Sequence, residues 1–174
     1  MTIKNMSFLC LLLVLSISGV VLLAADYPTD EQISKIITTA NMGEINTSEL
    51  AIKKAGNKKV VRFAKKILRD HATINKKTLR ISAKADIIPK ENEQSRLMQL
   101  DQEREMALLQ KLNGKDFEKA YMEIQVVDHQ KLLNDLDKVF IPNAKNKKLK
   151  KQLEKTRDSM ARNLFNAKKV QFSL

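Results

Sequence analysis

Residues 60–81 read VVRFAKKILRDHATINKKTLRI. Apolar side chains recur there in steps of four and three, at Val60, Ala64, Ile67, Ile74 and Ile81, with His71 and Thr78 on the same stripe. That period places all seven on one face of an α-helix. The rhythm returns at Ile33, Ile37, Ala40, Glu44, Thr47 and Ala51, and again at Met122, Val126, His129, Leu133, Leu136 and Phe140. A last stripe joins Leu149, Leu153, Thr156, Met160, Asn163, Ala167 and Val170. Four such stripes are the core-facing sides of four long helices.

Punctuation agrees. With only four glycines and three prolines in 174 residues, the chain lacks the turns that a sandwich or barrel needs every ~8–12 residues. Thr29 or Asp30 can cap a first helix that Gly56 closes. A second runs over about 58–85 and stops before Ile88-Pro89, because the residue before proline avoids the helical region. A weaker helix spans about 91–112 and ends at Asn113-Gly114. A fourth runs from about 115 to 140, before Ile141-Pro142, and a fifth from about 143 to 172. Short loops after the first and fourth make two antiparallel hairpins, joined by a crossover over 86–114. The fold class is all-α, a ferritin-like four-helix bundle with a long, partly helical crossover.

Ahead of this domain, residues 1–25 carry one charge, Lys4, and then the apolar run Met6–Ala25. One basic residue, an apolar stretch and small residues at its end read as a signal peptide cut after Ala24 or Ala25. A run of that length also suits an uncleaved anchor through residues 6–25. Either way residues 26–174 are expected outside the cytoplasm, in the periplasm or facing it. Cleavage removes Cys10, the one cysteine. A mature chain without cysteine has no disulfide-linked partner and draws its stability from its core. Removing Lys4 from the 32 basic residues leaves 31 against 20 acidic ones.

Composition also bounds the chemistry. One cysteine and two histidines, His71 and His129, exclude a thiolate zinc site. Tryptophan is absent and aromatics are 5%, which argues against stacking on single-stranded nucleic acid. Each stripe carries one strongly polar residue: Glu44, His71, His129 and Asn163. Asp70-His71 on the second helix is echoed by Asp128-His129 on the fourth.

These residues resemble the exported bacterial family catalogued as domain of unknown function 4142, over about residues 30–170. The carrying positions are Gly43-Glu44-Ile45, Asp70-His71 with Asn75, Pro89, and Phe117-x-x-x-Tyr121 before Asp128-His129. The resemblance implies a ferritin-like bundle and export, and no activity. Where the family usually has a histidine before Leu-x-x-Ala, this chain has Asn163, and an amide is a poor metal ligand beside imidazole.

Two readings of the cluster follow. One is a metal centre of Glu44, His71 and His129 with Asn163 as a weak fourth group; two imidazoles and a carboxylate suit zinc or mononuclear iron. Asp70 and Asp128 lie about 100° round their helices and flank it. The residues three before each histidine are Leu68 and Val126, so the Glu-x-x-His of di-iron proteins is missing. The other reading, favoured on sequence, is a buried polar network that needs no cofactor, whose histidines would loosen the core in acid. Tyr121 is expected to be a half-buried ring with a partnered hydroxyl. No catalytic residue is assigned.

Lys145, Lys147, Lys148, Lys150, Lys151, Lys155 and Arg157 form a basic run opposed within it by Glu154 alone. It reads as a solvated face, or as a patch for an anionic membrane or lipopolysaccharide surface. Nucleic acid is disfavoured by the expected location. The leading expectation is thus a non-enzymatic structural, stress-related or interaction module of the envelope. Metal binding and binding of anionic surfaces are its rivals.

Overall fold

Helix ends are set by side chains that take up backbone N–H groups left free in a first turn. In the computed structural model, which describes residues 27–174, Thr29 and Gln32 exchange such bonds at the start of α1 (Asp30–Lys54). Asn57 caps α2 (Lys58–Lys84), Asn92 caps α3 (Glu93–Lys111), and Asn113 precedes α4 (Gly114–Asp135). Asn146 accepts from Lys148 and Leu149 to cap α6 (Lys147–Gln171). The expected signal or anchor at 1–25 lies outside the described residues. Among the described residues there is no strand, so the domain is all-α.

One boundary differs in kind. The fourth helix was expected to stop at Phe140. Instead α4 widens into a π-helical turn over Leu136–Phe140 and continues as the short α5 (Ile141–Asn143). Proline lacks an N–H and crowds the carbonyl four residues back, and the helix meets Pro142 with a widened turn instead of stopping. Here the Ile141 N–H reaches Leu136 O across the turn. Leu136 and Phe140 stay fully buried. The last helix consequently begins at Lys147, not near 143.

The stripes hold on α1, α2 and α6, where Ile81 and Val170 alone are half-buried. On α4 the buried face is rotated. Tyr121, Gln125, His129 and Leu132 are inside, while Val126 and Leu133 are half-buried. Tyr121 and Gln125 have polar partners on α1, at Ser48 and Glu44, and those bonds outweigh the pull of two apolar side chains.

The same pairs fix direction. Glu44 meets Gln125 and Ser48 meets Tyr121, so α1 and α4 are antiparallel. Lys66 meets Asn163 across α2 and α6. Thr39 meets Gln102 and Lys54 meets Gln110, so α3 lies along α1 and carries the chain back between the hairpins. This course is compatible with the ferritin-like plan. Gly43 lets α3 approach, since a methyl there would run into the Gln102 side chain.

Two apolar clusters fill the bundle. One gathers Ile33, Ile36, Ile37, Leu136, Phe140 and Leu149. The other gathers Val60, Phe63, Ile67, Phe117, Tyr121 and Met122. Each hairpin loop is held by a carboxylate from the other hairpin. Glu118 on α4 accepts from the Gly56 and Asn57 N–H groups at 2.9 and 2.7 Å. Asp30 on α1 accepts from Lys145 and Asn146 at 3.0 and 2.8 Å. Glu118 is nearly buried, so Glu118→Ala should cost about 2–3 kcal/mol in denaturant unfolding by stranding two donors. Glu118→Gln, which keeps an acceptor, should cost less. A loss below about 0.5 kcal/mol for the alanine variant would mean that water replaces the carboxylate.

Candidate metal centre

Between the two apolar clusters lies a polar layer with contributions from all four long helices. Glu44 of α1, His71 of α2 and His129 of α4 each present a ligand atom, and the three atoms lie within 4.8 Å of one another. All three residues are buried. His71 Nε2 and His129 Nε2 face each other at 3.3 Å, with the rings at 86°.

Only one tautomer is decided by its partner. His129 Nδ1 lies 2.8 Å from the Gln125 carbonyl oxygen, which can only accept. His129 Nδ1 therefore carries the proton, and its Nε2 is an acceptor. His71 Nδ1 lies 2.9 Å from the Asn41 side-chain amide, which pairs either way round. With Nδ2 toward the ring, His71 Nε2–H donates to His129 Nε2; with Oδ1 toward it, both Nε2 atoms are bare and their lone pairs face each other. Burial holds both rings neutral in either case: His71 is pushed well below the usual range by burial and by His129, and His129 down to about 4 by burial. In the second arrangement a metal ion would take up both lone pairs. Two imidazole nitrogens bound at about 2.0–2.1 Å to one tetrahedral zinc are about 3.3 Å apart.

Glu44 completes the set. Its Oε2 accepts from Gln125 Nε2 at 2.6 Å, and its Oε1 is 3.6 Å from His129 Nδ1. Burial and the nearby Asp128 charge push its carboxyl well above the usual range. Several buried polar atoms have no partner: Asn41 Nδ2, Gln125 Oε1, Thr78 Oγ1 and Asn163 Nδ2. Such orphans are uncommon in a finished core, and a turned amide, a water or an ion can each supply the missing partner.

Asn163 is fully buried, but its one acceptor oxygen takes Lys66 Nζ at 2.6 Å. The same ammonium bonds Asp70 Oδ2 at 2.5 Å. Asp70 thus balances a lysine. Asp128 lies on the other side, beside Glu105, at a pocket of about 280 Å³ that reaches Glu44 and His129. Tyr121 is fully buried, not half-buried; its hydroxyl is 3.1 Å from Ser48 Oγ and its ring stacks on Phe117. Burial pushes its phenol up. Asn75 donates to Met42 Sδ at 3.6 Å and stays outside the ligand set. In the basic run, Lys145, Lys147, Lys148, Lys151 and Lys155 are exposed and Lys150 half-buried. Arg157 pairs with Asp137 at 2.9 Å.

Asn41, Gln125, Lys66 and Glu105 were missed from the sequence. Gln125 could have been found, since Tyr121, Gln125 and His129 stand at successive steps of four. Lys66 stands four residues before Asp70, another readable signal. Asn41 and Glu105 carry none.

The pocket's carboxyls give the site a pH signature. Burial and the neighbouring Asp128 push Glu105 up to about 7, and burial pushes Asp128 up to about 6. A raised folded-state pKa means stability that is full below the unfolded value near 4.5 and lost as pH rises through about 7. Glu105→Gln should therefore melt higher than the parent at pH 8, the gap closing by about pH 4.5. Equal differences at both pH values would contradict this. The buried histidines act in the opposite sense. Their lowered values remove stability as pH falls from about 6.5 toward 4, so carboxyls and imidazoles offset each other across that window.

A family model described as Domain of unknown function (DUF4142) matches residues 23–170. Among curated proteins and among solved structures, none matches the chain.

Proposed function

The chain belongs to the family described as Domain of unknown function (DUF4142), which prescribes no activity, and from its own side chains we propose that it is an exported helical bundle that binds one divalent transition-metal ion, zinc or iron(II), in its core. The observation that carries this reading is the convergence of three buried ligand atoms, from Glu44, His71 and His129, within 4.8 Å of one another, with the two Nε2 atoms facing each other at 3.3 Å. Neutral imidazole is the ligating form, and burial keeps both rings neutral; the Glu44 carboxyl, which burial pushes up, would give up its proton to the metal.

His71, His129 and Glu44 would hold the ion, a set that suits zinc or a mononuclear iron with open positions. Bound there, it would supply Lewis acidity beside the pocket. The residues around it do the rest. Asn41 and the Gln125 carbonyl orient the two rings, and Gln125 Nε2 orients the carboxylate, as outer partners of metal ligands do. Lys66 holds the α6 side through Asp70 and Asn163. The pocket on the α3 side is the open approach.

Protein purified without a histidine tag and equilibrated with zinc or iron(II) should contain one ion per chain by elemental analysis. Saturating metal should raise its melting temperature. His71→Ala or His129→Ala should abolish both effects. Asn41→Ala and Gln125→Ala, which remove orienting side chains, should weaken binding roughly 10–100-fold. A folded parent chain that takes up no stoichiometric metal would leave the layer as a metal-free hydrogen-bonded network. In that case the Asn41 amide is turned so that Nδ2 donates to His71, and the protein is the structural module expected from sequence.

A further inference from the structure

The most sharply organised positive charge lies away from the run at 145–157. A groove of about 440 Å³ separates the N-terminal half of α2 from the C-terminal end of α6. Lys59, Arg62 and Lys66 line it from α2, and Lys169 faces them from α6. Phe63 and Val170 give it an apolar wall, and no acidic side chain lines it. Lys66 is balanced by Asp70. Among the described residues, Lys59, Arg62 and Lys169 have no carboxylate within ion-pair distance. Like charges at this spacing repel, so folding gains nothing by gathering them.

Two large apolar side chains stand on the same end of α6. Phe165 is 69% exposed and Phe172 is 96% exposed. With Lys169 they step by four and then three, so the rings flank that lysine one turn to each side. Phe63, Phe117 and Phe140 are buried, which makes the exposure of these two a departure within the same molecule. Cations around a groove call for an anion. Bare aromatic rings beside them call for an apolar medium just beyond it. A bilayer with anionic headgroups offers both at the required depth, whereas a dissolved phosphate would leave the rings in water. Among the described residues no helix is long and apolar enough to cross a membrane, so contact of this domain is peripheral.

We propose that this end of the bundle docks on an anionic phospholipid surface. Phosphodiester headgroups seat among Lys59, Arg62 and Lys169, and Phe165 and Phe172 enter the interface. The proposal is independent of the metal reading.

Flotation with vesicles tests it, using the chain as isolated after export. Vesicles of equal parts phosphatidylglycerol and phosphatidylcholine are compared with pure phosphatidylcholine at low salt. Partition coefficients are measured below saturation over a range of lipid concentration, so that a contribution of residues 1–25 common to both vesicles divides out of their ratio. The anionic vesicles should bind the protein and release it as salt rises. Each basic side chain near such a surface contributes roughly fivefold. Lys59→Gln/Arg62→Gln/Lys169→Gln should therefore lower partition about a hundredfold. Phe165→Ser/Phe172→Ser should lower it about a hundredfold, roughly tenfold for each ring buried. Lys147→Gln/Lys148→Gln/Lys151→Gln removes equal charge at the other end of α6 and should cost far less. No preference for anionic vesicles, or equal losses from the two charge variants, would overturn the proposal. So would displacement by millimolar glycerol phosphate together with indifference to the phenylalanine change, which would mark a site for soluble phosphate.

Discussion

Everything in this bundle depends on burying a polar layer across its middle. Two imidazoles, a carboxyl and three amides sit between two apolar clusters. Leaving one such group without a partner costs about 1–3 kcal/mol. The helices therefore have little freedom to slide. Asn41 must reach His71, Glu44 must reach Gln125, and Ser48 must reach Tyr121. A slip of one helical turn, about 5.4 Å, would break all three. Greasy faces alone tolerate such slips. Here the axial register comes from the polar contacts, and apolar packing follows it.

The layer is also asymmetric. On the α6 side, the corner held by Asn163 is filled by the Lys66 ammonium, itself fixed by Asp70. On the α3 side, Glu44 and His129 border a pocket whose rim includes Asp128 and Glu105. One side is thus closed by a lysine, while the other opens on a pocket that carboxyls share with Arg104 and Lys131. The amide at that corner presents a carbonyl oxygen, and the lysine occupies it.

Much of the fold was legible because helix periodicity is local. Stripes on α1, α2 and α6 could be drawn from spacing, and with them the convergence of Glu44, His71 and His129. What escaped depends on partners far away in sequence. Gln125 stands at a readable step of four between Tyr121 and His129, but hydropathy favours Val126 beside it, and only Glu44 across the bundle decides which face turns inward. Asn41 lies beside the stripe through Ala40, and nothing within its own helix announces His71. Lys66 shows its spacing to Asp70, while its second partner, Asn163, lies far away in sequence. The π-turn escaped for another reason. Proline announces that a helix is in trouble, without saying whether the helix will stop or widen. It widened because Leu136 and Phe140 both had core to fill.

The crossed arrangement of Asp30 and Glu118 has a consequence for how the molecule comes apart. Each hairpin supplies the carboxylate that closes the other's loop. Fraying either loop leaves a nearly buried or partly buried charge on the opposite hairpin without its donors. Loosening one hairpin's loop therefore carries a penalty on the other, and the two are coupled despite their separate connections in sequence.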